Sequence, residues 1–232
     1  MSQFDCFVTP NAQAINRARQ EHLDSLGLDI APGRRVLEVG AGIGYHTGFF
    51  LDKGCDVVSS DGRADNVAEI RRRWPGLSVH QIDLESDSDL ARLGTFDLIY
   101  CYGLLYHVGD PDRVLAMLAQ ICTGQIMLEL IVNMNTKSSL DLVREPDGFD
   151  QSITRQGCRP SRSWVLDRLQ NHWGHGYITA TQPDHAEFLL DWTTHTVANT
   201  RAVFVGSRTQ LKNPLLVRSP PQNQSRCKKS SQ

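Results

Sequence analysis

The chain has 232 residues, 40% of them hydrophobic and 22% charged, with a net charge of −2. That balance builds one α/β domain with insertions, and no apolar run approaches the roughly 20 residues of a membrane helix. The charge is uneven, about −9 through Asp191 and +7 beyond it, so an acidic body replaces the basic footprint of a dedicated nucleic-acid binder.

The opening Met1-Ser2-Gln3-Phe4-Asp5 lacks the basic region and apolar segment of a signal peptide, and a soluble cytoplasmic protein is expected. The cysteines, Cys6, Cys55, Cys101, Cys122, Cys158 and Cys227, form no C-x-x-C pair, which fits a reducing compartment. A helix is predicted over 9–27, with Thr9 as N-cap, Pro10 at its first position and Gly27 at its end. After the Pro32-Gly33 turn, Val36-Leu37-Glu38-Val39 reads as a buried strand that breaks into Gly40, Gly42 and Gly44. Glycines there let the backbone take positive φ and approach a ligand, at the point where the next helix offers its free N–H groups. The spacing is G-x-G-x-G rather than G-x-G-x-x-G, and Tyr45 stands where the dinucleotide fingerprint places a small residue.

A helix over 47–53 closes at Gly54, and a second strand, 55–61, ends in Asp61. This acid lies about 20 residues beyond Gly40, where α/β nucleotide sites place a carboxylate for ribose hydroxyls; it could instead cap the helix over 64–74. A third strand, 77–84, holds Asp83, and 85–93 reads as an acidic helix or loop. The fourth strand, 95–103, runs into Leu104-Leu105-Tyr106-His107-Val108-Gly109-Asp110-Pro111. A helix over 111–121 and a fifth strand over 125–131 follow. Regular alternation lapses over 133–160, too long for a plain connection. Ser161 can cap a helix through Trp173; strands over 177–181 and 201–206 enclose a second insertion, 182–200. From about 212 the chain turns Pro-, Ser- and Gln-rich, and a disordered basic tail, 212–232, is expected.

Glu38 with the three glycines resembles motif I of the class I S-adenosylmethionine (SAM) methyltransferases. Asp61 resembles their motif II, Asp83-Leu84 their adenine-binding pair, and 95–103 their motif IV. The stretch from Gly103 to Pro111 is similar to the "G-x-L-Y/H-H-x-x-D-P" run of small-molecule and some tRNA-modifying members. The resemblance implies an α/β fold with a doubly wound, seven-stranded, mostly parallel sheet, an antiparallel last strand and cap insertions after strands 5 and 6. It implies a SAM-binding domain over 30–211, an N-terminal helical lid over 1–29 and substrate caps at 133–160 and 182–200. SAM would be held by Glu38, Gly40, Ala41, Gly42, Gly44, Asp61, Gly62, Asp83, Leu84, Cys101 and Tyr102. In the leading helix, Asn16, Arg17 and His22 are lid contacts or simply an amphipathic face.

Methyl transfer from a sulfonium is an in-line displacement, so the protein aligns the reactants and excludes water. For a hydroxyl acceptor a general base helps, and His107 is the candidate, or else a structural histidine. Tyr106 and Tyr102 line the methyl channel or pack the core. Arg159 and Arg162 bind an anionic group of the substrate, or pair structurally with Glu145 and Asp147. His172, His175, His185 and His195, with Asp184 and Asp191, lie on separate segments, and no metal site is expected. The favoured function is O-methylation of a small molecule. A tRNA base methyltransferase and a non-catalytic SAM-binding protein are the alternatives, and an NAD-dependent dehydrogenase is disfavoured by Tyr45 and Asp83. No membrane partner is expected, and the oligomeric state is open.

Overall fold

A computed structural model describes residues 4–86, 90–148, 151–194 and 197–227. After a single turn, α1 (Asp5–Val8), comes α2 (Pro10–Ser25), where the Thr9 hydroxyl accepts the Ala12 N–H at 3.1 Å and Pro10 supplies a preset φ. Next are β1 (Arg35–Val39), α3 (Thr47–Asp52), β2 (Asp56–Asp61), α4 (Ala64–Arg73), β3 (Ser78–Gln81) and β4 (Phe96–Tyr102). Asp110 caps α5 (Pro111–Ile121), which feeds β5 (Cys122–Asn133). Strands β6 (Leu140–Arg144) and β7 (Gln156–Pro160) precede α6 (Arg162–Trp173), capped by Ser161 through the Trp164 N–H at 3.2 Å. Strands β8 (His175–Thr179), β9 (Thr181–Gln182), β10 (Asn199–Ser207), β11 (Leu216–Val217) and β12 (Ser225–Arg226) complete the chain. No helix among the described residues is long and apolar enough to cross a membrane.

The main sheet runs β11-β8-β10-β5-β4-β1-β2-β3. Strands β1 to β5 pair in parallel, and β10 enters antiparallel to β5, from Asn199 opposite Asn133 to Ser207 opposite Gln125. Helices cover both faces. Leu118, Leu169, Trp173 and Phe204 fill one apolar layer; Leu23, Phe50, Tyr100 and Phe188 fill the other. This is the expected doubly wound sheet with its antiparallel strand.

Three expectations are corrected. The sheet has eight strands rather than seven, because β11 pairs with β8 through Leu216 opposite Thr179. The tail is ordered over 212–227 rather than disordered, while Lys228 and Lys229 lie outside the described residues. Its order comes from polar side chains, which a compositional argument does not weigh. Gln224 accepts from Trp192 Nε1 at 2.7 Å and Gln182 Nε2 at 3.0 Å, and donates to the Thr179 carbonyl. The 133–160 segment holds an antiparallel hairpin, β6 with β7, whose exposed Leu142 (68% accessible) hides the apolar signal of a strand.

The glycine loop is tightly determined. Gly40 and Gly42 take φ of 65° and 58°, in the left-handed region, and a Cβ on Gly40 would stand 2.8 Å from the Leu104 side chain. Beneath the loop, fully buried Glu38 accepts hydrogen bonds from Thr47 Oγ1 at 2.6 Å and Ser59 Oγ at 3.1 Å, tying β1 to α3 and β2. Burial pushes its carboxyl up from an ordinary 4.5 to about 7, although both hydroxyls pull the other way.

Two outcomes are expected. The unfolded Glu38 ionises near pH 4.5 while the folded one keeps its proton to about 7, so its contribution to stability falls as pH rises through that window. The loss is about 3 kcal/mol, and Glu38→Gln, which keeps an acceptor oxygen, removes it when urea unfolding is compared at pH 5 and 7.5. Gln224→Ala strips the acceptor from Trp192 and Gln182 and lowers unfolding free energy by about 1–3 kcal/mol, whereas Lys212→Ala on the exposed tail leaves it unchanged.

Candidate active site

The C-terminal ends of β1, β2 and β4 share one rim of the sheet, where open α/β folds place their ligands, and two adjoining cavities occupy it. The first lies among Asp61, Gly62, Asp83, Leu84 and Leu104, with Phe7 and Ile153 reaching over it. Asp61 Oδ2 accepts the Gly42 N–H at 2.9 Å, and Oδ1 accepts the Arg63 N–H at 2.9 Å and Asn66 Nδ2 at 3.0 Å. These bonds lock the carboxylate to the glycine loop and leave it acceptor capacity for a hydroxyl. Burial nonetheless pushes Asp61 above its ordinary range. Asp83 turns its oxygens to the Glu85 N–H and the Ser86 hydroxyl, each at 3.0 Å. A Cβ on Gly62 would fall 2.6 Å from Ile153 Cδ1, so the cap sits directly on this edge.

The second cavity has a volume of about 570 Å³ and a mixed lining, with Arg19, Arg159, Glu187 and Arg201 beside Phe7, Ile15, Ile43 and Ile131. Behind its wall, fully buried Glu129 of β5 receives Arg19 of α2 at 2.5 Å and Arg201 of β10 at 3.1 Å. Arg201 continues to Glu187 at 2.6 Å and to the Tyr106 hydroxyl at 3.3 Å, and Asn11 donates to Glu187 at 3.1 Å. Arg159 and Arg201 both lie over the Tyr106 ring, at 5.4 and 5.3 Å from its centre.

His107 borders both cavities. Its Nδ1 lies 2.6 Å from Glu145 Oε2, which also accepts the Ser152 N–H at 2.9 Å; Arg159 reaches Oε1 at 3.3 Å. Burial pushes the Glu145 carboxyl up, but the bonds from His107 and Ser152 and the Arg159 charge outweigh it and hold it below the usual range. An ionised carboxylate on Nδ1 fixes the imidazole and favours the tautomer with Nε2 unprotonated. Such an imidazole can take a proton.

Of the residues singled out in sequence, Gly40 and Gly42 border both cavities, while Ala41, Tyr102, Tyr106 and Arg159 line the second. Glu38 and Gly44 stand behind the loop. Two placements are corrected. Cys101 points into the core, fully buried, because it alternates with Tyr102 along β4, and burial pushes its thiol up to about 12. Arg162 lies away from both cavities, donating to the Pro221 carbonyl at 2.7 Å and stacking 3.6 Å over Trp192. In α2, Asn16 reaches the second cavity and Arg17 does not; His22 turns instead to Thr181 at 3.1 Å. Asp147 pairs with Arg155 and not with Arg159. His172 bonds Asp112 at 2.7 Å, and His195 lies outside the described residues. Among the described residues no three His, Cys, Asp or Glu side chains converge on a metal position.

Sequence reasoning missed Arg19, Glu187 and Arg201 as cavity residues, and Glu129 as the buried partner behind two of them. A signal existed for Glu129: one carboxylate interrupts the apolar run Ile126-Met127-Leu128-Glu129-Leu130-Ile131, and a charge inside a buried strand demands partners.

Comparison with known proteins agrees with this geometry. Residues 11–182 match the family described as methyltransferase domain. A tRNA U34 carboxymethyltransferase of Alcanivorax borkumensis is 34% identical over 117 residues, 48% of this chain and 35% of the relative. A ubiquinone biosynthesis O-methyltransferase of Hahella chejuensis is 33% identical over 131 residues, 54% of each chain. This chain thus spans about a third to a half of these relatives. Among solved structures, the N-terminal domain of EvdMO1 with S-adenosylhomocysteine (SAH) bound superposes with a TM-score of 0.67 at 21% identity, covering 89% of this chain and 84% of that one. A 1,6-didemethyltoxoflavin-N1-methyltransferase of Burkholderia thailandensis gives 0.55 at 17% identity, covering 87% and 80%. With its parallel sheet, glycine loop and strand-end acids, the chain belongs to the methyltransferase-domain family and has the class I SAM-dependent methyltransferase fold.

Proposed function

We propose that this protein moves a methyl group from SAM to an oxygen of a small-molecule acceptor, with His107 taking the acceptor's proton. The observation that carries this reading is the 2.6 Å contact of His107 with Glu145 at the junction of the two cavities.

The first cavity fits the cofactor's nucleoside. Asp61, whose carboxylate keeps acceptor capacity, would take the ribose hydroxyls; Asp83 and Leu84 would meet the adenine edge and face. The left-handed Gly40 and Gly42 let the backbone approach the methionine portion. SAM supplies an electrophilic methyl on a sulfonium. Everything else falls to the chain. The second cavity holds the acceptor so that its oxygen faces that methyl, and Phe7, Ile153 and the β6–β7 hairpin exclude water. When the acceptor oxygen takes up the methyl in exchange for sulfur, its proton would pass to His107 Nε2, and Glu145 would stabilise the resulting imidazolium. The products would be SAH and the methyl ether, and His107 would return the proton to water to restore the free imidazole. A tRNA acceptor is the second reading, favoured by the 34% identity to the A. borkumensis enzyme and opposed by the acidic body.

Calorimetric titration with SAH is expected to give micromolar binding that Asp61→Ala abolishes; a well-folded wild type that does not bind SAH would sink the reading. With an acceptor in hand, His107→Ala should lower kcat by about 10²–10⁴-fold while SAH affinity changes by less than about threefold. Glu145→Gln, which keeps the Ser152 hydrogen bond but loses the charge, should lower kcat by at least about tenfold with an unchanged KM for SAM. Unchanged kcat in both variants would remove His107 from the chemistry.

A further inference from the structure

The second cavity contains three guanidinium groups, and each is already matched. Arg19 is held by Glu129 at 2.5 Å, Arg201 by Glu129 at 3.1 Å and Glu187 at 2.6 Å, and Arg159 by Glu145 at 3.3 Å. Among the described residues, these three arginines are therefore matched by three carboxylates, Glu187 in the lining and Glu129 and Glu145 buried behind it, and no guanidinium is left without a counter-charge.

That balance selects among acceptor chemistries. An anionic acceptor would have to draw a guanidinium from its partner, and Glu129 or Glu145, both buried, would lose one of the cations that hold it. A cationic acceptor would meet the sulfonium charge together with the arginines. A wholly apolar acceptor would pack against Phe7, Ile15 and Ile131 but would strip water from Asn11, Asn16, Glu187 and Arg201 without replacing those hydrogen bonds. A hydroxyl both donates and accepts. It can donate a hydrogen bond to the Glu187 carboxylate, whose side chain remains 39% exposed, and accept from an Asn11 or Asn16 amide, leaving every ion pair intact. Several hydroxyls on one rigid ring would satisfy several of these groups with little ordering cost. We propose that the acceptor is a neutral, hydroxyl-rich ring of the saccharide class, one hydroxyl of which is presented to His107; this rests on the methyltransferase reading above.

The test uses the full chain saturated with SAH and titrates it with methyl glycosides of glucose, galactose and mannose, each beside its uronic acid counterpart and its amino sugar. At least one neutral glycoside is expected to bind ten or more times tighter than its uronate and its amino counterpart. Glu187→Gln retains a carbonyl acceptor for Asn11 and Arg201 but releases the Arg201 charge, so the preference for the neutral ring over its uronate should shrink at least tenfold. Tighter binding of any uronate or amino sugar to the wild type overturns the proposal. So does failure of every neutral glycoside to bind a protein that still binds SAH, and so does a Glu187→Gln variant with the wild-type preference. Loss of SAH binding itself would instead take down the underlying methyltransferase reading.

Discussion

A carboxylate with no exposed surface inside a central strand constrains everything around the second cavity. Glu129 cannot stay charged in that position without partners, because desolvating an unpaired ion is far more costly than any one contact repays. Its partners come from opposite ends of the chain: Arg19 lies 110 residues before it and Arg201 72 residues after it. Satisfying one buried charge therefore holds α2 over the crevice and sets Arg201 of β10 at the same spot. The chain of pairs continues through Glu187 to Asn11, so the second insertion and the leading helix are fixed to each other as well. Breaking such a pair from one side typically costs ~3–5 kcal/mol, which gives the chamber a defined shape before any ligand arrives.

The half of the site proposed to hold the cofactor was legible in the sequence as a grouping of residues, because its information is local. A strand, a glycine turn and an acid at the next strand's end are written within a few dozen residues, and Gly40, Asp61 and Asp83 stand together as that order implies. The acceptor half was not legible, because its pairs are distant. His107 meets Glu145 across 38 residues, and nothing in the spacing says which of several acids will turn toward it. Arg159 was flagged and does line the chamber; Arg162, three residues on, opens a helix and swings to Trp192. Cys101 is a different kind of miss. Strand alternation alone forbids it from sharing a face with Tyr102, and the period-2 rule was enough to see that.

The two halves are also built differently. The first cavity stands on the ends of β1, β2 and β4, paired within the sheet, with the Glu38 hydrogen bonds bracing the glycine loop from behind. The acceptor side hangs from α2, a hairpin and a long insertion, held by side-chain bonds more than by sheet registry. Loops positioned by a rigid scaffold can change their lining without disturbing it, so one sheet can serve many acceptors.

The short strand β11 has a bearing beyond the site. Without it β8 would form one border of the sheet, with the backbone groups of Tyr177, Ile178 and Thr179 open to any extended chain that came near. Only two residues cover that border, and Gln224 secures the following segment through the Thr179 carbonyl. At the far border, β3 is four residues long and carries Ser78, His80 and Gln81. Both margins of the sheet are thus short, polar or occupied, the features that blunt edge-to-edge pairing, and the peripheral strap that covers one of them lies apart from both cavities.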